Sequence, residues 1–324
     1  MSLDYFGQSS FKEKWNGLDL VYSCDKVILT GRFLFGAIDR MFSYMRQLSY
    51  QSCIGPLVPW GYALYDVRFY EKLSLMSYRN NFVIEFYNEE KEKVSFYFGI
   101  GFNANNGFQE LWKLEFNPNK ILTNCNAWMR DFLLLLKSCS RVGGLINSIE
   151  VKFFDLAIDF PVSRDCVLYD KENRLHKMYL LSALDRTDYY GVSHKHGATK
   201  VYNKGIEADL KRDLTRLEVT LELDDFNSVR KYFEALSVLQ HGQMKMDDLG
   251  AKLTQNDKVV LELLNMHPEY LSRFNRWAKT KYEPYLKDFC QPFQLSLKAF
   301  NHVASWISYF TRMDIGGIFG DNGR

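Results

Sequence analysis

The chain has 324 residues, 47% of them apolar and 16% aromatic, which supports a sizeable core and excludes global disorder. A formal net charge of +2 excludes nucleic-acid binding through bulk charge, so any basic surface must be local. No apolar run reaches the length of a membrane span, and the start "MSLDYFGQSS" has no basic stretch followed by an apolar one, so neither a membrane helix nor a signal peptide is expected.

In chain order, strands are predicted over "KVILTGRF" (26–33), "NFVIEFYN" (81–88), "KVSFYFGIGF" (93–102), "WKLEFNPN" (112–119), "IEVKFFDLAIDFP" (149–161), "ATKVYNKG" (198–205) and "RLEVTLEL" (216–223). They are rich in β-branched and aromatic residues, and turn residues bound most of them. Helices are predicted over 36–50 and 127–144, the second closing on paired glycines as a C-cap. After residue 226 the apolar spacing changes to threes and fours, and "NSVRKYFEALSVLQ", "NDKVVLELLNMH", "PEYLSRFNRWAKTKYEPYLKDF" and "FQLSLKAFNHVASWISYFTRM" read as helices. A boundary is placed at 225–247, with "HGQMKMDDLG" as an interruption, and the tail "DIGGIFGDNGR" is expected to fray. Cysteines at 24, 53, 125, 139, 166 and 290 form no C-x-x-C pair, which suits free thiols in a reducing cytoplasm.

The fold class is therefore α+β, with antiparallel sheets and flanking helices followed by a helical C-terminal region. An internal duplication is one reading of the strands. "ELWKLEFN" (110–117) and "DLTRLEVT" (213–220) share acidic–Leu–x–basic–Leu–Glu, preceded by "EFYN" (85–88) and "KVYN" (200–203), and before those by "CDKVILT" (24–30) and "FDLAIDF" (154–160). Two related halves, 1–120 and 145–225, would follow, with the chemistry kept in one. Chance similarity among β-rich strands is the competing reading.

Strand side chains alternate, so faces can be assigned. Asp155, Ala157 and Asp159 share a face, as do Lys200, Tyr202 and Lys204; Arg216 and Glu218 oppose Leu217 and Val219, and Lys113 and Glu115 oppose Trp112 and Leu114. An antiparallel sheet with one wet face gives this pattern. So does a carboxylate cluster holding Mg²⁺ or Mn²⁺ beside a tyrosine. Asp155 and Asp159 stand roughly 13 Å apart along a strand, so they cannot both be close ligands of one ion. A free phenol titrates near 10 and is a poor nucleophile at neutral pH; Lys200, Lys204 or a metal beside it would lower that cost.

"LEFNPNK" (114–120), "FFDLAIDF" (153–160), "YYGVSHKHGATKVYNKGIE" (189–207) and "RLEVTLEL" (216–223) resemble, in order and spacing, the Rep_trans family of rolling-circle replication initiators of the staphylococcal plasmid type, with related relaxases of integrative elements. The resemblance covers about residues 112–290 and adds little to the first 110. It implies a metal-dependent, site- and strand-specific DNA nick through a tyrosine, here Tyr202, leaving a 5′-phosphotyrosine and a free 3′-OH. It implies metal ligands on the acidic strands holding Asp155, Asp159 and Glu218, with Glu115 in the matched "EFNPNK", and catalytic support from Lys200, Lys204 and Arg216. Relatives often place an arginine before the aspartate of "FDLAID"; Phe153 and Phe154 stand there, so a supporting cation must come from elsewhere. Origin DNA, both duplex and exposed single strand, is the implied partner, with homodimerisation and a host helicase. A conjugative relaxase would share the chemistry, and a non-catalytic origin-binding protein is the alternative from another class.

Two further candidates lie nearby. His194 and His196 form a His-x-His, but Lys195 between them and Gly197 after them suggest a turn. Tyr87 in "EFYN" is the repeat-equivalent tyrosine, with Glu85 but no lysine on its face. Downstream, "RFNRWAKTKYEPYLK" carries Arg273, Arg276, Lys279, Lys281 and Lys287 against Glu283, interleaved with Trp277, Tyr282 and Tyr285. It resembles the basic helix of the plasmid initiators; a solvated basic face is the simpler reading, phosphate contact the functional one. Pro284 is expected to kink or end a helix that reaches it. The domain reading is thus 1–225 for nicking and 226–324 for origin recognition.

Overall fold

A hairpin opens the described chain. Strands β1 (Ser10–Trp15) and β2 (Leu18–Arg32) pair across Asn16-Gly17, whose φ values of 47° and 83° are those of a two-residue hairpin turn. This computed structural model describes residues 10–33, 36–54, 68–73, 80–87, 93–103, 109–121, 150–170, 175–180, 186–240, 253–287 and 290–312. The helix expected over 127–144, the interruption at 241–250 and the tail from 314 lie outside the described residues. The remaining strands are β3 (Arg68–Leu73), β4 (Asn80–Tyr87), β5 (Lys93–Asn103), β6 (Gln109–Phe116), β7 (Glu150–Phe160), β8 (Val167–Tyr169), β9 (His176–Leu180), β10 (Arg186–Tyr190), β11 (Thr199–Asn203), β12 (Thr215–Leu221), β13 (Leu236–Val238) and β14 (Gln291–Pro292). The class is α+β, and a large antiparallel sheet dominates it.

The chain divides into two compact units, one comprising 1–10, 23–155 and 302–324, the other 11–22 and 156–301. In the first, strands lie in the order β3-β4-β5-β6-β2, each neighbouring pair antiparallel. Alternation sets its core: Trp112, Leu114 and Phe116 of β6 are buried, as are Phe96, Phe98 and Ile100 of β5. The helix Ala37–Ile54 presents Ala37, Ile38, Met41 and Met45 as its buried stripe, the spacing of one helical face.

The second unit carries the order β7-β12-β11-β10-β9 and a small separate sheet, β14-β13-β8. Trp15, Phe160 and Phe293 pack edge to face at 5.3–6.5 Å between ring centres. A second cluster joins Cys166, Leu239, Leu261, Leu264, Leu271, Tyr282 and Leu286. These contacts tie residues 226–301 into the same compact unit as β12. The expected helix "NSVRKYFEALSVLQ" is instead a short helix, Phe226–Arg230, followed by β13, because Leu236 and Val238 are buried and the backbone pairs with β8. The helix Arg276–Lys287 runs through Pro284. Proline removes one hydrogen bond of the helical ladder, and the buried Tyr282 and Leu286 hold the last turn in place.

The two runs of strands share one order. Each begins with the strand that ends beside the last one (β2 beside β6, β7 beside β12), and the intervening strands follow outward. β6 and β12 carry the matching "KLE" and "RLE", so β5 and β11 are the equivalent neighbours. The sequence pairing of "EFYN" in β4 with "KVYN" in β11 is therefore corrected. Opposite Arg216 stands Tyr202, and opposite Lys113, its counterpart, stands Gly99. Tyr87 is not the equivalent of Tyr202.

Gly197 fixes the entry into β11. Its φ is +78°, its N–H donates to Thr220 O at 2.7 Å, and a Cβ there would lie 2.2 Å from the Tyr232 ring. Gly197→Ala is expected to cost about 1–3 kcal/mol through left-handed strain and displacement of that ring, read by urea denaturation. A cost below about 0.5 kcal/mol would show that the turn readily rearranges.

Candidate active site

β11 and β12 bring together four of the residues that the alternation singled out, Lys200, Tyr202, Arg216 and Glu218. Their register places Tyr202 opposite Arg216 and Lys200 opposite Glu218. The Tyr202 hydroxyl donates to Glu218 Oε1 at 2.6 Å. Lys200 Nζ lies 3.6 Å from Glu218 Oε2 and 3.8 Å from the centre of the Tyr202 ring, over its face rather than beside its oxygen. Arg216 donates from Nε and Nη2 to the two oxygens of Asp159, at 2.5 and 2.7 Å, and both residues are buried. This fork-on-fork pair fixes the guanidinium beside the tyrosine.

The electrostatics run opposite to the expectation of an acidified phenol. Burial pushes the Tyr202 phenol well above its ordinary value, and the Glu218 charge and the hydrogen bond to it push the same way; Arg216 opposes them weakly. The hydroxyl is protonated at neutral pH, with its proton already aimed at a carboxylate. That is the geometry of general-base assistance, in which the proton leaves as a bond to the oxygen forms.

Lys204 is not on the strand face. Asn203 ends β11 and caps the helix Lys204–Glu207, its side chain accepting from Ile206 N at 3.0 Å. Lys204 Nζ pairs with Glu207 at 2.6 Å and sits 5.9 Å from the Tyr202 ring centre. The missed signal was the Asn before a helical "KGIE", a common N-cap residue.

The other expected acids are placed differently. Glu115 belongs to the first unit, between Lys26 and Lys113, each at 2.7 Å. Burial alone would raise its pKa; the hydrogen bonds and charges of these lysines outweigh that and lower it. Asp155 also falls in the first unit, half-buried. Among the described residues no group of three or more His, Cys, Asp or Glu side chains is gathered as a cation site. The described donors as arranged do not fit Mg²⁺ or Mn²⁺: Asp159 offers both oxygens to Arg216, and Glu218 accepts from Tyr202. His194 is exposed with φ 61°, and His196 Nδ1 accepts from Glu222 N at 2.9 Å, so the His-x-His is part of a turn.

In the basic stretch, Arg273 closes a 3-10 turn (Pro268–Arg273) and Arg276 opens the helix Arg276–Lys287; both are exposed, and Arg273 stacks over Tyr270 at 4.7 Å. Lys279 pairs with Asp165 at 2.7 Å and Lys281 with Asp257 at 2.6 Å. Trp277 is 72% exposed, with Lys281 Nζ 5.5 Å from its ring centre.

Sequence reasoning missed Asp188 of β10. It is fully buried and accepts from Arg164, from Arg186 Nη2 at 3.1 Å, and from His176 at 2.9 Å. Its side chain lies on the sheet face away from Tyr202, because it pairs with Val201 while Thr187 pairs with Tyr202. Alternation in "RTDYY" was the available signal.

The chain matches no protein-family model and no curated protein. Among solved structures it is similar to the rolling circle replication initiator protein from Geobacillus stearothermophilus, at 12% identity and a TM-score of 0.33, over 63% of this chain and 74% of that one. Similarity this low carries no argument about function. No helix among the described residues is long and apolar enough to cross a membrane.

Proposed function

We propose that the chain initiates rolling-circle replication by nicking and rejoining DNA, with Tyr202 as nucleophile. The observation that carries the reading is the Tyr202 hydroxyl bonded to Glu218 Oε1 at 2.6 Å, within the strands whose sequence resembles the Rep_trans initiators. Tyr202 Oη attacks the scissile phosphorus and its proton passes to Glu218. The bond from phosphorus to the 3′ oxygen breaks, and that oxygen leaves as a 3′-OH after taking a proton from water. The 5′ phosphate stays on the tyrosine; attack by a 3′-OH reverses the step. Lys200 is the nearby cation for the phosphate, its Nζ lying 3.8 Å from the centre of the tyrosine ring. Arg216, tied to Asp159, orients the neighbouring strand rather than touching the phosphate.

The resemblance implies Mg²⁺ or Mn²⁺, which Asp159 and Glu218 as arranged do not fit, so no step above is routed through an ion. Homodimerisation and a helicase partner enter on the same ground. The test is to react the chain with a single-stranded origin oligonucleotide, with divalent cation and with chelator, and to map any adduct by peptide mass. A 5′ end linked to the peptide holding Tyr202 is expected; a link to another residue, or no link in either condition, overturns the proposal.

Duplex recognition is assigned to Arg273 and Arg276. Replacing both with alanine is expected to lower the salt slope of duplex binding by about one per residue. Lys279→Ala is expected to act mainly on stability, because its ammonium is already paired with Asp165. An unchanged slope in the arginine variants would remove this basic stretch from the DNA interface.

A further inference from the structure

The registers of β9, β10, β11 and β12 define everything that shares a face with the reactive tyrosine. Tyr179, Thr187, Tyr202 and Arg216 form one cross-strand row; Lys177, Tyr189, Lys200 and Glu218 form the next. On β9 and β10 this face is open: Tyr179 is 58% exposed and Tyr189 37%. Their rings lie 5.4 Å apart, edge to face at 86°. The other face of the same strands is closed, holding the buried Asp188 and Tyr190.

We infer that Tyr179 and Tyr189 form a stacking platform for unpaired bases of a single DNA strand, whose backbone Lys177 and Lys200 lead to Tyr202. The inference rests on the proposed function for the direction of that strand, and on the sheet register for the platform itself. Tyrosine faces accept any base by stacking, and lysines between them track phosphates; this combination is the chemistry of single-strand binding. No acidic residue occupies this face of β9, β10 or β11, and no aliphatic residue does, so its composition suits a polyanion with flat apolar rings. The distance is also right. Tyr179 stands two strand spacings from Tyr202, about 10 Å, on the same face of the sheet.

The full chain is to be titrated with a labelled oligothymidylate of about 20 nucleotides, which carries no origin sequence to be nicked, and with a duplex of the same length. Tyr179→Ala combined with Tyr189→Ala is expected to weaken single-strand binding about 10-fold or more and duplex binding less than about 2-fold. The paired phenylalanine replacements are expected to keep wild-type affinity, since they retain the ring. Lys177→Gln is expected to lower the single-strand salt slope by about one. An alanine pair that binds the oligonucleotide as the wild type does overturns the inference; so does equal loss on duplex, or a wild-type chain without single-strand affinity. Because no bond is broken in this assay, a failure of Tyr202 chemistry would leave its outcome unchanged.

Discussion

Tyr202→Phe is expected to abolish the covalent protein–DNA adduct and to lower nicking of a supercoiled plasmid by about 10³-fold or more, while origin binding is kept. The ring, its packing and the Lys200 contact over its face remain; only the oxygen is lost. The same change leaves Glu218 Oε1 without its tyrosine donor and is expected to cost about 1–3 kcal/mol of stability. A gel-shift titration, a nicking assay and a denaturant melt on one preparation separate the three effects. Normal nicking by this variant would remove the proposed mechanism outright.

The largest effect on stability is expected at a residue with no part in the chemistry. Asp188→Ala leaves the buried Arg164, and Arg186 beside it, without their shared anion. Stranding a buried cation in this way costs about 3–5 kcal/mol, which should lower the thermal midpoint by on the order of 5–10 °C. Acid should do the same more gradually. Burial alone would raise the Asp188 pKa; the charge of Arg164, then Arg186 and the bonds from Arg186 and His176, outweigh it and hold the carboxyl below its ordinary 3.8. Its stabilisation is therefore complete above about pH 4 and is lost as pH falls through the folded value. A melt showing less than about 1 kcal/mol for Asp188→Ala would mean that the arginines find another partner.

The site was partly legible because a strand has period two. Alternation alone put Tyr202 with Lys200, and Glu218 with Arg216. It could not supply the register that sets Tyr202 opposite Arg216, since register depends on which strands pair. Lys204 was misplaced because the strand ends at Asn203, two residues early, a decision made by a side-chain cap and invisible to hydrophobic pattern. The small sheet holding β13 was missed for a related reason: "ALSV" has apolar spacing consistent with helix, and only pairing with β8 makes it a strand. Asp188 escaped notice because a buried acid looks like a surface acid until its partners, 24 and 12 residues away in sequence, are in place.

Gly99 stands in the first half where Tyr202 stands in the second. On the proposed chemistry, only the second of the two matching strand arrangements carries the anchor. With that one anchor a copy can grip one severed end and give it back, but trading ends between strands asks for a second grip. Termination of a replication round by strand exchange would then be a task for two copies acting in turn, and a mixture of intact and Tyr202→Phe chains would carry out the first cut without the second.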